Sequence, residues 1–174
     1  MNYNLKYDNI MLRPLQDGDL ENLRIWRNDK KKNQYLKKIS FISKDSQCKW
    51  YNDYLNNETE IIFAIDEIKE LHRLVGSIAL YNIKDNCAEI GRIQVGDDEA
   101  HCKKIGKNAV ALLSKFAFEE CHIKHLLATV NKKNVASLKL FLDSGYRIIE
   151  EKESFSKAGG IDYVLEKHQN FTYD

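Results

Sequence analysis

The stretch from Ala88 to Ala109, AEIGRIQVGDDEAHCKKIGKNA, changes its hydrophobic period part-way along. Residues 88–95 read as a strand of period two. From 104 to 120 the apolar positions Ile105, Ala109, Leu112, Leu113, Phe116 and Ala117 recur at helical spacing. A strand that feeds a helix through so short a loop aims free backbone N–H groups and the positive end of the helix dipole at one spot. The segment therefore predicts both a piece of α/β architecture and an anion site.

Working outward, residues 10–15 read as a strand. Asp17 and Asp19 then offer carboxylates to cap a helix that runs to Asn28, with Leu20, Leu23 and Trp26 on its inner side. A second helix over 44–55 follows Ser43, its apolar face made by Cys48, Tyr51 and Leu55. Strands at 60–66, 74–83 and 88–95 form an antiparallel meander. After the long helix come a strand at 126–130, a helix at 134–144 ended by Gly145, and strands at 146–155 and 161–167 flanking a hairpin turn at Lys157 to Gly160. The fold class is α/β, a mixed sheet in one domain over 1–174, with its parallel crossover between 88 and 130.

The chain has 174 residues, 43% hydrophobic and 30% charged, enough for a buried core. Lys plus Arg is 27 against 26 Asp plus Glu, a net charge of +1. A general nucleic-acid or membrane binder carries a larger basic excess, so neither partner is expected. No apolar run is long enough to span a membrane. The four dispersed cysteines, Cys48, Cys87, Cys102 and Cys121, with no leader ahead of them, read as reduced thiols in a cytoplasmic protein.

Around the loop, Lys103, Lys104 and Lys107 add mobile positive charge, and Gly106 admits a bulky ligand close to the backbone. A phosphate or pyrophosphate suits this turn; a solvated basic helix start is the plain alternative. A nucleotide P-loop is excluded, because His101 and Asn108 stand where it needs glycine and a hydroxyl. Cys121, His122 and His125 carry metal-ligand chemistry, but a further ligand is missing nearby, so no metal is expected.

Arg13-Pro14-Leu15, Asp19-Leu20, Trp26 to Asp29, Ala88 to Gly91, His101 to Ala109, and Asn134 to Ser137 with Phe141 and Gly145-Tyr146 occur in an order that resembles the GNAT acetyltransferases. The likeness is greatest to the branch of ribosomal-protein N-terminal and amino-sugar acetyltransferases. It implies an acetyl-CoA-dependent N-acetyltransferase with a V-shaped cleft between the fourth and fifth strands of this count. The family's Gln/Arg-x-x-Gly-x-Gly/Ala turn, which binds the CoA pyrophosphate through backbone amides, falls on His101, Cys102, Lys103, Lys104, Ile105 and Gly106, with Lys107 beside it. Here the leading residue is His101, and Lys104 replaces the first glycine. The resemblance further implies that Ile93, Gln94 and Val95 pair with the pantetheine arm and that Asn131 and Asn134 hold its amides. Helix capping is the other reading of Asn134.

Acetylating an amine needs a proton acceptor, and Glu89 beside the cleft is the candidate base; a solvent-facing strand charge is its plain reading. Where many relatives carry a tyrosine that protonates the thiolate, this chain has Phe141, so a different donor, a water or direct loss of the thiolate must serve, with Ser137 the nearest hydroxyl in sequence. Trp26, Arg27, Asn28, Gln47 and Trp50 offer flat faces beside a fixed cation, suited to a sugar ring with a nucleotide phosphate or to a peptide end. The pattern around Phe41 to Tyr51, with Phe155 and Ile161-Asp162, resembles acetyltransferases of nucleotide-linked amino sugars. A protein N-terminal acetyltransferase and a non-catalytic CoA or acyl-CoA module are the alternatives, and the resemblance allows a homodimer.

Overall fold

The computed structural model describes residues 3–36 and 40–169. Strands β1 (Leu5–Tyr7) and β2 (Ile10–Pro14) precede helices α1 (Leu20–Asn28) and α2 (Lys44–Leu55). Then come β3 (Glu60–Glu67), β4 (Arg73–Lys84), β5 (Cys87–Val95), α3 (Ile105–Glu119), β6 (His125–Asn131), α4 (Val135–Asp143), β7 (Arg147–Glu153) and β8 (Ile161–His168). Among the described residues, eight strands lie in one sheet, ordered β1-β2-β3-β4-β5-β6-β8-β7. Every neighbouring pair is antiparallel except β5–β6, where the helical crossover through α3 makes the pair parallel. Among the described residues, no helix is long and apolar enough to cross a membrane.

Side-chain alternation divides the sheet into two faces. Phe63 and Ile65 of β3 point into the larger core with Ile78, Leu80, Ala88, Ile90 and the inner side of α3; Leu113 and Ala117 there are fully buried. Ile62 and Ala64 point the other way, to Leu15, Leu23, Tyr51 and Ala79 under α1 and α2. Covering on both sides is why β3 reads as a nearly continuous apolar run.

The meander, both later strands and all four helices match the sequence reading to within a residue or two at most ends. Ser43 caps α2 by accepting from the Ser46 amide, and Gly145 takes φ +84° after α4. The tight β4–β5 turn sets Asp85 and Asn86 at φ 49° and 62°, values that asparagine and aspartate tolerate better than other side chains.

Two features differ from that reading. The three-residue β1 is additional: it is too short to show a period, and only pairing with β2 makes it a strand. Asp17 and Asp19, expected to cap α1 directly, instead form a 3-10 turn before it. The Asp19 carboxylate is buried, where it accepts from the Gln16 amide at 2.8 Å and from both terminal nitrogens of Arg13 at 2.7 and 2.9 Å. Arg13 also donates through Nε and Nη2 to Asp66 of β3, at 2.7 and 3.0 Å. Hydrogen bonding to Asp19, and then to Asp66, raises the guanidinium pKa above its ordinary value against the opposing effect of burial.

Candidate functional site

Strands β5 and β6 pair over Cys87 to Glu89 and His125 to Leu127 only. Beyond that point β5 continues along β4, and β6 continues along β8. The two therefore part, and this is the V-shaped cleft; the additional β1 makes it lie between the fifth and sixth strands. A bulge marks the parting. Ala79 faces Gly91 and Ser77 faces Gln94, so Ile78 opposes both Arg92 and Ile93, with Arg92 at φ 51°. From Ile90 to Val95, β5 has no strand partner on its β6 side among the described residues.

At the open end of β5 the chain enters the turn before α3. Cys102 and Lys104 adopt left-handed φ values of 64° and 59° around Lys103, an arrangement that turns successive amides inward. The amides of Cys102, Lys104, Ile105, Gly106 and Lys107 donate to no group among the described residues, whereas that of Lys103 bonds Ala100 O. Five free donors at the start of a fifteen-residue helix form a concavity for an anion. The positive charge is less mobile than expected: Lys103 pairs with Glu70, and His101 lies 3.5 Å from Asp98. Lys104 and Lys107 remain exposed. Asn108 is buried, donating to Asn9 and Asp8, and so anchors α3 to the β1–β2 turn.

The left-handed Lys104 explains why glycine suits this position. Lys104→Gly should stabilise the fold by about 1 kcal/mol by removing that strain, seen as a rise in the denaturation midpoint. Binding of pyrophosphate at the turn should weaken several-fold in the same variant, because an exposed cation beside the free amides is lost.

On the far side of the cleft, Gly106 packs α3 against α4. A Cβ there would approach Leu140 Cδ1 to 2.9 Å. Asn134 caps α4, its Oδ1 accepting from the Ser137 amide at 3.1 Å, in agreement with the capping reading. Asn131 does not offer its side chain to the cleft. Its Nδ2 is enclosed by Ser154 Oγ, Ser156 Oγ, Gly159 O and Asp162 Oδ1, where it braces the β7–β8 hairpin. The Ser137 hydroxyl makes no hydrogen bond among the described residues, while Phe141 is buried edge-on to Tyr146.

The α1–α2 face of the bulge carries the polar groups. Glu89 is half-buried, opposite Tyr81 on β4, and accepts from Asn82 Nδ2 at 3.1 Å. The Tyr81 hydroxyl lies over Gly91, where an added Cβ would come within 3.1 Å of it. Burial, reinforced by the Glu89 charge, raises this phenol above its ordinary pKa. Arg92 stacks over the Tyr81 ring at 4.4 Å and pairs with Glu60. Sequence reading missed Tyr81 because a tyrosine in a meander strand carries no local mark; its place opposite Glu89 is a matter of register.

Arg27 of α1 is half-buried near Arg92, and its only hydrogen bond among the described residues is to Asn33 Oδ1 at 3.4 Å. Burial, and then the charge of Arg92, lower its pKa. Its expected companions are dispersed. Trp26 covers Gly96, where a Cβ would fall 1.9 Å from the ring, and Gln94 Nε2 donates to Trp26 O. Asn28 makes two hydrogen bonds to the Ile42 backbone. Trp50 stacks on Tyr54 at 5.9 Å. Gln47 lines a separate groove between α1 and α2 with Asp17, Arg24, Lys44 and Tyr51. Trp26, Asn28 and Gln47 are thus used in packing, loop anchoring or another groove, whereas Arg27 lies near Arg92 of the bulge.

An uncharacterized protein of Methanocaldococcus jannaschii is 29% identical over 143 residues, 79% of this chain. The chain spans 28% of that relative's length. The spermidine N-acetyltransferase of Vibrio cholerae, solved with CoA and spermine, superposes with a TM-score of 0.83 at 19% identity, covering 92% of this chain and 96% of that one. FdhC, a nucleotide-linked sugar GNAT, superposes with 0.80 at 22% identity, covering 97% and 91%. At these identities the structures share the fold. The family model of the acetyltransferase (GNAT) domain matches residues 9–147, which run from the β1–β2 turn through the splayed strands, the amide-rich turn and α4. A match over most of the chain makes this protein a member of the GNAT acetyltransferase family.

Proposed function

We propose that the chain transfers the acetyl group of acetyl-CoA directly to a primary amine on an acceptor that also carries phosphate, a nucleotide-linked amino sugar being the first choice. The observation that carries the acceptor class is Arg27, a half-buried guanidinium with no carboxylate partner among the described residues, beside a second arginine at the bulge. A desolvated cation of this kind favours an anionic guest and disfavours a polycation such as spermidine.

The residues also fit the co-substrate. The free amides from Cys102 to Lys107, with Lys104 and Lys107, suit a pyrophosphate, and the unpaired side of Ile93, Gln94 and Val95 suits the amides of a pantetheine arm. Asn134 would contribute from the α4 side, and Asn131 through its backbone. Bound there, acetyl-CoA supplies an activated acetyl thioester. Glu89 accepts the amine proton, directly or through water, while Asn82 holds its carboxylate in place. Phe141 has no proton to give, so the thiolate is protonated by Ser137, the nearest hydroxyl in sequence, by another donor or by water, or it leaves as the anion.

The test is CoA release with a panel of amines. Nucleotide-linked amino sugars should turn over and spermidine should not. Arg27→Ala should raise KM for the phosphorylated acceptor by about tenfold or more, the value of a charged hydrogen bond, with KM for acetyl-CoA unchanged. Turnover of ribosomal-protein N-terminal peptides alone would move the acceptor to a protein N-terminus. The buried Phe141 favours the non-catalytic module, and tight CoA binding with no release across the panel would establish that reading instead.

A further inference from the structure

We propose that His125, Glu166 and His168 form a binding site for a divalent transition-metal ion, zinc fitting best, on the sheet face opposite α3 and α4. His125 and His168 are register partners across the antiparallel β6–β8 pair. Glu166 stands two residues before His168, so strand alternation puts its side chain on the same face. The neighbouring residues Leu126 and Leu165 point into the main core, which fixes the triad on the other side.

The spacing is that of a coordination sphere. His168 Nε2 lies 2.9 Å from Glu166 Oε2, and His125 Nδ1 lies 3.4 Å from Glu166 Oε1. One ligand atom from each residue falls within 4.8 Å of the other two. Donors at the corners of a tetrahedron with zinc bonds of about 2.0–2.1 Å stand about 3.3–3.4 Å apart, so small side-chain adjustments close the site. Two imidazoles and a carboxylate suit zinc, cobalt, nickel or copper, and are a poor match for the all-oxygen preference of magnesium or calcium.

Access and rigidity also suit an exchangeable ion. The Glu166 side chain is 19% exposed, and those of His125 and His168 are 43% and 38% exposed. The two strands that hold them are paired over their whole length, from His125 to Asn131. Three protein ligands leave a further position for water. The site sits at the closed end of the β5–β6 pair, where His125 is the register partner of Cys87. An ion there joins the end of β8 to β6 and takes no part in proton transfer at the bulge.

The sequence expectation of no metal rests on Cys121, His122 and His125 as neighbours along the chain. The sheet instead gives His125 two partners more than forty residues away. The experiment titrates the untagged, chelator-treated chain with Co2+, reading visible ligand-field absorption, and then displaces the cobalt with Zn2+. Wild type should bind a single equivalent of Co2+, releasable by Zn2+, and zinc should raise the melting temperature. His168→Ala should abolish the band, and Glu166→Gln should weaken binding by about tenfold or more. His122→Ala should leave binding unchanged, and acetyl-CoA should raise the melting temperature of wild type and of every variant alike. Absence of a ligand-field band in wild type, or a band undiminished in His168→Ala, would overturn the proposal.

Discussion

Glu89→Gln should lower kcat by about 10²- to 10⁴-fold, the usual contribution of a positioned general base, with acetyl-CoA affinity unchanged. The substitution keeps the shape of the side chain and its contact with Asn82, and removes the capacity to accept a proton. Glu89 belongs to the last residue pair before β5 and β6 part, and it shares a face with Tyr81 and Arg92. Glu60 is the competing carboxylate, but it is occupied by Arg92. Glu60→Gln should therefore act chiefly through acceptor KM, by releasing Arg92. Steady-state kinetics of both variants decide the assignment: a Glu89→Gln enzyme with most of its kcat intact would remove Glu89 from the mechanism.

Arg13→Ala should cost about 3–5 kcal/mol of stability, the scale for removing one partner of a buried ion pair. Arg13 bridges two carboxylates: Asp66 on β3, and Asp19 in the turn that starts α1. Its side chain is 14% exposed and theirs are 15% and 7% exposed, so the truncation leaves two negative charges poorly solvated beside each other. Urea denaturation should show the loss as a lower midpoint. Adding Asp19→Asn and Asp66→Asn to Arg13→Ala should recover a large part of it, because the uncompensated charges are then gone. An Arg13→Ala midpoint within experimental error of wild type would mean that the triad does not hold α1 on the sheet. Arg27 lies on this helix, so acceptor KM should be disturbed together with stability.

Much of the fold was legible in local pattern. The change of period at Lys104, Ser43 before α2, Gly145 after α4 and the Asp85-Asn86 turn are each set by side-chain and backbone preferences acting over a few residues. The amide-rich turn was legible for the same reason, since a strand, a short loop and a helix start fix where free N–H groups point. Asn134 as a cap also belongs to this class.

What depended on register and packing could not be read along the chain. A side chain's availability is decided by what the folded neighbours offer it. Asn131 and Asn28 were legible as polar candidates, but the hairpin at Ser154 to Gly160 and the backbone of Ile42 occupy them. Lys103 is neutralised by Glu70, thirty-three positions away. Tyr81 meets Glu89, and His125 meets His168, only because antiparallel pairing puts distant residues on one face of the sheet. The sequence alone determined the order of elements from β2 onward and the amide-rich turn, because those follow from short-range preference. The tertiary structure decided the polar cluster at the bulge and the histidine–glutamate triad, because side chains that meet across a sheet are chosen by strand register, which local sequence does not encode.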